Sequence, residues 1–301
     1  MTDWISLAAG QSYPTGTLYI VATPIGNVAD LSLRALHVLG LVDAIACEDT
    51  RNTGQLLSRL GMQRPLVAVH EHNEREAAPK IVSRLAAGER IAYVSDAGTP
   101  GISDPGARLV EAVRAAGHGV VPLPGPSAAV TALSVAGELL DAGAGRFHFV
   151  GFLPAKPKAR AEAIAALAPL EHAWVLYEAP HRIADTLAAL REGLPGTRRL
   201  LIGRELTKLF ENIAVMPVAE AADWLAADAS RGKGEFVLVV EGAGAVGQAG
   251  AADAVDPQAR RVLDLLLAEL PAKRAAKLAA AITGAKTDAL YQLALTRRAG
   301  D

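Results

Sequence analysis

Short, continuous apolar runs alternate with helix-spaced patterns along the first 135 residues. The runs fall at 18–22, 44–47, 66–69, 91–94 and 120–123. Between and after them, 31–39, 53–60, 74–85, 107–116 and 128–135 place apolar residues three or four apart. Unbroken apolar strands between amphipathic helices predict a parallel sheet covered on both faces. A second series follows, with strands at 147–152, 174–177, 200–203, 213–216 and 236–240 and helices at 158–167, 181–192 and 217–227. Its spacings allow a mixed sheet. The pattern predicts a flexible tail at 1–15, an N-terminal α/β domain at 16–125 and a second α/β domain at 126–241. A Gly/Ala/Asp linker at 242–256 then leads to a helical module at 257–301, punctuated by Pro271 and Gly284.

Composition narrows the function classes. The chain has 301 residues, 51% of them hydrophobic, which is globular rather than disordered. A formal net charge of -2 gives no global signal for nucleic acid. Residues 257–300 nevertheless hold eight Lys/Arg against Asp264, Glu269 and Asp288. The lone Cys47 excludes an intramolecular disulfide and reads as a small core residue. No stretch approaches the roughly 20 apolar residues of a membrane span, and the N-terminus lacks signal-peptide features. The expected compartment is the cytoplasm, with no membrane partner.

Candidate chemistry collects after the strands. The first strand ends in Thr23-Pro24-Ile25-Gly26-Asn27 and the second in Glu48-Asp49-Thr50-Arg51. The fourth ends in the twelve-residue loop 95–106, and the fifth in Pro124-Gly125-Pro126-Ser127. In a parallel sheet these loops share the carboxyl edge, where open α/β sheets bind ligands. Ser127 and Asp104 could also be plain helix N-caps. The length of 95–106 favours a functional loop. In the second domain, 177–182, 204–208 and 233–235 form charged turns at strand ends, as would a second wall of one cleft. Gly242-Ala-Gly-Ala-Val-Gly247 matches a dinucleotide fingerprint, but no helix pattern follows it, so it reads as linker. His70-Glu71-His72 lacks further ligands at usable spacing, so no metal is expected.

The segments 18–27, 46–51, 95–106, 121–126, 177–182 and 204–211, taken in this order, resemble the ribosomal RNA small subunit methyltransferase I family of the tetrapyrrole methylase superfamily. The resemblance spans about 17 to 297. It implies two α/β domains with S-adenosylmethionine in the cleft between them, a homodimer, and 2'-O-methylation of a cytidine in 16S rRNA of the small ribosomal subunit. Carried over by motif, the cofactor should meet Pro24, Asp96, Ala97, Gly98, Ile102, Ser103, Ser127, Ala128, Tyr177 and Leu206. Ser127 stands where many members have Cys. The C-terminal module should help grip RNA.

Such a transfer needs a base for the acceptor hydroxyl, with Glu48, Asp49, Glu178 and Glu205 as candidates. Arg51, Arg182, Arg204 and Lys208 are candidates for the RNA phosphates. The alternatives are a methyltransferase of a tetrapyrrole precursor on the same fold and a non-catalytic RNA-binding protein.

Overall fold

The computed structural model describes residues 6–141, 144–244 and 257–298. The chain falls into two compact units that part between Gly242 and Ala243.

The first unit opens on a helical turn, α1 (Ser6–Ala9). Its first sheet comprises β1 (Thr17–Val21), β2 (Ala44–Cys47), β3 (Leu66–Ala68), β4 (Ile91–Val94) and β5 (Gly119–Leu123). The order is β3-β2-β4-β1-β5 and every pairing is parallel. The helices α2 (Leu33–Leu41), α3 (Thr50–Arg59), α4 (Glu74–Ala86) and α5 (Ala107–Ala115) return the chain between strands.

The two-residue repeat of a strand explains the layering. Tyr19, Val21, Ile45 and Cys47 pack with Ala35, Val38 and Leu57 in one core cluster. Their neighbours Leu18, Ala46 and Tyr93 pack with Ile81, Leu85 and Leu109 in another. Helix α2 begins later than the apolar pattern suggests. Ser32 accepts the Ala35 N–H at 3.1 Å and fixes the start of the helix there.

The second sheet follows α6 (Ala128–Ser134) and α7 (Glu138–Asp141). It comprises β6 (Phe147–Phe152), β7 (Ala173–Glu178), β8 (Arg199–Arg204), β9 (Asn212–Pro217) and β10 (Phe236–Val240). The order is β6-β7-β10-β8-β9, parallel only between β6 and β7. The helices α8 (Pro157–Leu167), α9 (Ile183–Gly193) and α10 (Val218–Ala226) cover one face through Ile164, Leu187 and Val218. Helix α6 covers the other face, with Ala129, Ala132 and Leu133 against Val175, Val237 and Val239.

The second unit is α11 (Pro257–Leu267), α12 (Ala272–Thr283) and α13 (Thr287–Arg298). Ala259, Ala275, Ala276, Ala279 and Ala294 let these helices approach closely around Leu263 and Leu290. Gly284 closes α12 in the left-handed conformation at φ 76°.

The expected tail at 1–15 departs from the sequence pattern in its described part. Ala8 is buried, Tyr13 donates from its hydroxyl to the Ala8 carbonyl at 2.8 Å, and its ring lies against Tyr19 and His37. Two aromatic contacts hold a segment that carries no helix or strand periodicity. Residues 1–5 of that tail, and 245–256 of the expected linker with half of the Gly-rich fingerprint, lie outside the described residues. Among the described residues no helix is long and apolar enough to cross a membrane.

Candidate active site

The loops leaving β1, β4 and β5 face β7, β10 and the turn after β8 across a cavity of about 310 Å³. Its first wall is the 95–106 loop. Thr23 and Gly98 exchange backbone hydrogen bonds of 2.9 and 3.0 Å, which pins that loop to the end of β1. Thr99 donates from its hydroxyl to the Pro126 carbonyl at 2.9 Å and ties the loop to the β5 end. Gly98 sits at φ 80°, and a Cβ there would meet Ile25 Cγ2 at 3.4 Å.

Ser103 on this wall is left-handed at φ 63° without being glycine. So are Glu205 and Thr207 on the opposite wall, at φ 51° and 66°, on either side of the cavity-lining Leu206. Such residues cost of order 1–3 kcal/mol each and persist where surrounding structure fixes them. Of the four among the described residues, Ser103 lines this cavity and two more flank its Leu206.

The second wall carries the aromatic residues. Tyr177 accepts the Ala129 N–H on its hydroxyl at 3.3 Å and so caps α6. Ser127 occupies the N-cap position of α6, but its side chain makes no capping bond. Phe149 and Phe152 meet Tyr177 edge-on, with ring centroids 5.1 and 5.8 Å away. Phe152 remains 52% exposed at the cavity.

Eight of the ten expected cofactor contacts line this cavity: Ala97, Gly98, Ile102, Ser103, Ser127, Ala128, Tyr177 and Leu206. Pro24 and Asp96 do not. Asp96 instead accepts the Asp49 N–H at 3.2 Å and the Asn52 amide at 2.8 Å, facing the start of α3.

The candidate bases separate by environment. Glu178 lines the cavity, but its carboxylate is fully buried and already engaged. It accepts from Ala179 N at 2.9 Å and Thr186 Oγ1 at 2.6 Å, with Arg182 Nε at 3.1 Å. Glu205 accepts from Lys208 Nζ at 2.7 Å and Glu235 N at 2.9 Å. Burial raises the Glu205 carboxyl, but the Lys208 ammonium and the Glu235 N–H outweigh it and hold the group below its ordinary range. Asp49 caps α3 and pairs with Arg51 at 2.7 Å, whose hydrogen bonds hold it down at about 2. Glu48 is pushed up by burial and by the Asp96 charge. Neither Glu48 nor Asp49 lines the cavity, and Glu205 stands behind it.

The candidate phosphate ligands divide as well. Arg51 is highly exposed, at 85%. Arg182 is bound to Glu178 and to the Leu153 carbonyl. Arg204 donates to the carbonyls of Lys233 at 2.7 Å and Phe210 at 3.2 Å. Lys208 lines the cavity between Glu205 and Glu235.

Sequence reasoning gave Phe152 no place in the site and named Asp104 and Glu235 only within the 95–106 loop and the 233–235 turn; all three line the cavity. Asp104 is not a helix cap. Gly106 holds that position at φ 131°, and the buried Glu74 of α4 accepts the Gly106 and Leu109 N–H groups at 3.1 and 2.9 Å. Asp104 is thereby left for the cavity. Burial, then the charges of Glu48 and Asp96, push its carboxyl up to about 6 against the Ser95 hydroxyl. The His70 and His72 rings lie 6.1 Å apart, and no metal-holding group of three or more occurs among the described residues. Cys47 is buried, and burial pushes its thiol up, away from nucleophilic use.

The profile of the Tetrapyrrole (Corrin/Porphyrin) Methylases family matches residues 17–222. That of the RsmI C-terminal HTH domain matches 253–298. The chain is 49% identical over 284 residues to "Ribosomal RNA small subunit methyltransferase I" of Pseudomonas aeruginosa, covering 94% of this chain and 98% of the relative. It is 50% identical over 283 residues to the protein of the same name from Escherichia coli O157:H7, covering 94% and 96%. Among solved structures, the uroporphyrin-III-C-methyltransferase of Thermus thermophilus shares the fold at a TM-score of 0.53 and 22% identity, covering 78% of this chain and 97% of that one.

Proposed function

The chain belongs to the ribosomal RNA small subunit methyltransferase I family of tetrapyrrole methylases, and from that premise we propose that it 2'-O-methylates a cytidine ribose in 16S rRNA, using S-adenosylmethionine. The observation that carries this reading is the cavity itself. Strand-end loops of both sheets close on one space, lined on one side by the small residues Ala97 and Gly98. Small residues there let a ligand approach the main chain closely. Ile25, Ile102, Leu206 and Val237 give the space apolar sides, and Asp104, Glu235 and Lys208 give it charged groups. Those apolar sides fit a ligand with an apolar ring.

In this reading the eight cavity residues of the cofactor set hold S-adenosylmethionine. The bound group supplies an activated methyl on a sulfonium. The protein's own contribution is alignment of acceptor oxygen, methyl carbon and sulfur, and exclusion of water. Arg51 and the basic residues of 257–298 would position RNA phosphates, which fix register without reading sequence. A tetrapyrrole precursor, itself rich in carboxylates, would have less use for such a module.

The reading includes a homodimer. It is supported by the apolar side chains left on the edge strand β9 and the turn before it: Leu209, Phe210, Ile213 and Val215. Sedimentation of the purified protein tests this part.

The central experiment incubates the protein with labelled S-adenosylmethionine and small-subunit rRNA or subunits, and locates the methyl group by mass spectrometry. Incorporation at one cytidine ribose, abolished by a 2'-deoxy nucleotide at that position, is the expected result. Incorporation that survives removal of the 2'-oxygen, or that occurs only on a tetrapyrrole precursor, rejects the reading. Absence of cofactor binding in calorimetry would leave a non-catalytic RNA-binding protein.

A further inference from the structure

Three carboxylates line the described cavity, and two of them are committed to other groups. Glu178 is surrounded by Ala179 N, Thr186 Oγ1 and the Arg182 guanidinium. Glu235 is tied to Lys208 at 2.8 Å and is largely exposed. Asp104 makes no ion pair among the described residues. It follows the left-handed Ser103, and Glu74 has taken over the capping of α5, the task that would otherwise occupy Asp104. Resting on the proposed 2'-O-methylation, we infer that Asp104 is the catalytic base that takes the proton from the acceptor hydroxyl.

The O–H bond of the ribose breaks and its proton moves to an Asp104 carboxylate oxygen. The freed pair on that oxygen forms the new O–CH3 bond. The C–S bond breaks with its pair remaining on sulfur, which becomes a neutral thioether. Asp104 then returns the proton to solvent.

The surroundings of Asp104 suit this work. Glu48 at the β2 end and Asp96 after β4 face it with negative charge, and Ser95 offers a hydroxyl. The phenols of Tyr93 and Tyr177 also sense its charge, and Tyr93 Oη is buried without a hydrogen-bond partner. Lys208, Glu178 and Glu235 are the remaining charged groups of the cavity. Burial and the two acidic neighbours bring Asp104 near neutrality, where a base works best. The ionised form predominates above about pH 6, so the rate should rise with pH through that region.

The test compares wild type with Asp104→Asn, which keeps the shape and removes the base. Three readouts are needed: cofactor affinity by calorimetry, single-turnover methylation of small-subunit rRNA, and the rate from about pH 5 to 8.5, the window that brackets a base near neutrality. Asp104→Asn is expected to bind S-adenosylmethionine within about threefold of wild type and to transfer at least about 100-fold more slowly, the usual contribution of a general base. The wild-type limb near pH 6 should be absent from the variant. A variant that transfers within about threefold of wild type overturns the assignment, since a lost base costs on the order of 100-fold. So does one whose deficit is entirely lost cofactor binding. A wild-type profile flat across this range overturns it even if the variant does not fold. If wild type itself places no methyl on a ribose, the functional reading falls and the assignment with it, and that outcome is visible before any variant is made.

Discussion

Gly98 and Asp104 show what single residues contribute to the first wall. Gly98 adopts φ 80°, strained for any side chain, and a Cβ there would already touch Ile25, leaving no room for a branched side chain on that side. Gly98→Val should therefore displace the loop that Thr23 holds. Calorimetry is expected to show S-adenosylmethionine affinity at least about tenfold weaker, a loss of about 1.4 kcal/mol. Asp104 bears on stability as well as on chemistry. Its folded carboxyl titrates at about 6, above the ordinary aspartate value of 3.8. The fold therefore binds its proton more tightly than the unfolded chain does. The associated stability is fully present below about pH 4 and is lost as pH rises through about 6. After discounting for partial exposure, Asp104→Asn should stabilise the protein by about 1 kcal/mol at pH 8 relative to wild type. That advantage should shrink toward pH 4, as read by chemical denaturation at both values.

At the scale of elements, helix α5 depends on a residue far from it in sequence. Glu74, at the first position of α4, supplies the acceptor for Gly106 N and Leu109 N. Glu74→Ala should leave two buried donors unsatisfied and cost about 1–3 kcal/mol in denaturant unfolding. Glu74→Gln keeps an acceptor oxygen and should cost less. This cap was illegible in the sequence because nothing local marks a pairing across more than 30 residues. The pattern 103–106 instead offered Asp104 as the cap, which concealed its place in the cavity. The strands were legible for the opposite reason. Runs such as 44–47 and 236–240 are buried on both faces, so every residue carries the same apolar signal. The order β6-β7-β10-β8-β9 was not legible, because antiparallel and parallel neighbours leave similar apolar runs. Of the site, the Gly- and Pro-rich walls were readable as motifs. The division of the acidic residues into committed and free depends on distances that no spacing encodes.

The whole molecule consists of two units with separate cores. The Ala-rich cluster of α11, α12 and α13 is built entirely from residues after Ala243. A chain ending at Gly242 should keep its cooperative unfolding and its S-adenosylmethionine affinity, since the cavity draws only on residues 25–237. Its methylation of small-subunit rRNA should fall at least about tenfold, as phosphate contacts dominate such affinity. Retained RNA activity in that shortened chain would remove the RNA role given to the second unit. The position of β10 has a further consequence, for synthesis on the ribosome. The first sheet has all its strands once residue 123 has emerged, so it can close early. The second sheet cannot, because its central strand is the last to be made. Until Phe236–Val240 arrives, β7 and β8 each present an unpaired inner edge, an invitation to pairing with another nascent chain. A ribosome stalled before Phe236 would hold a finished first sheet beside two unjoined halves of the second, with the Phe236 and Val237 part of the cavity lining still to be translated.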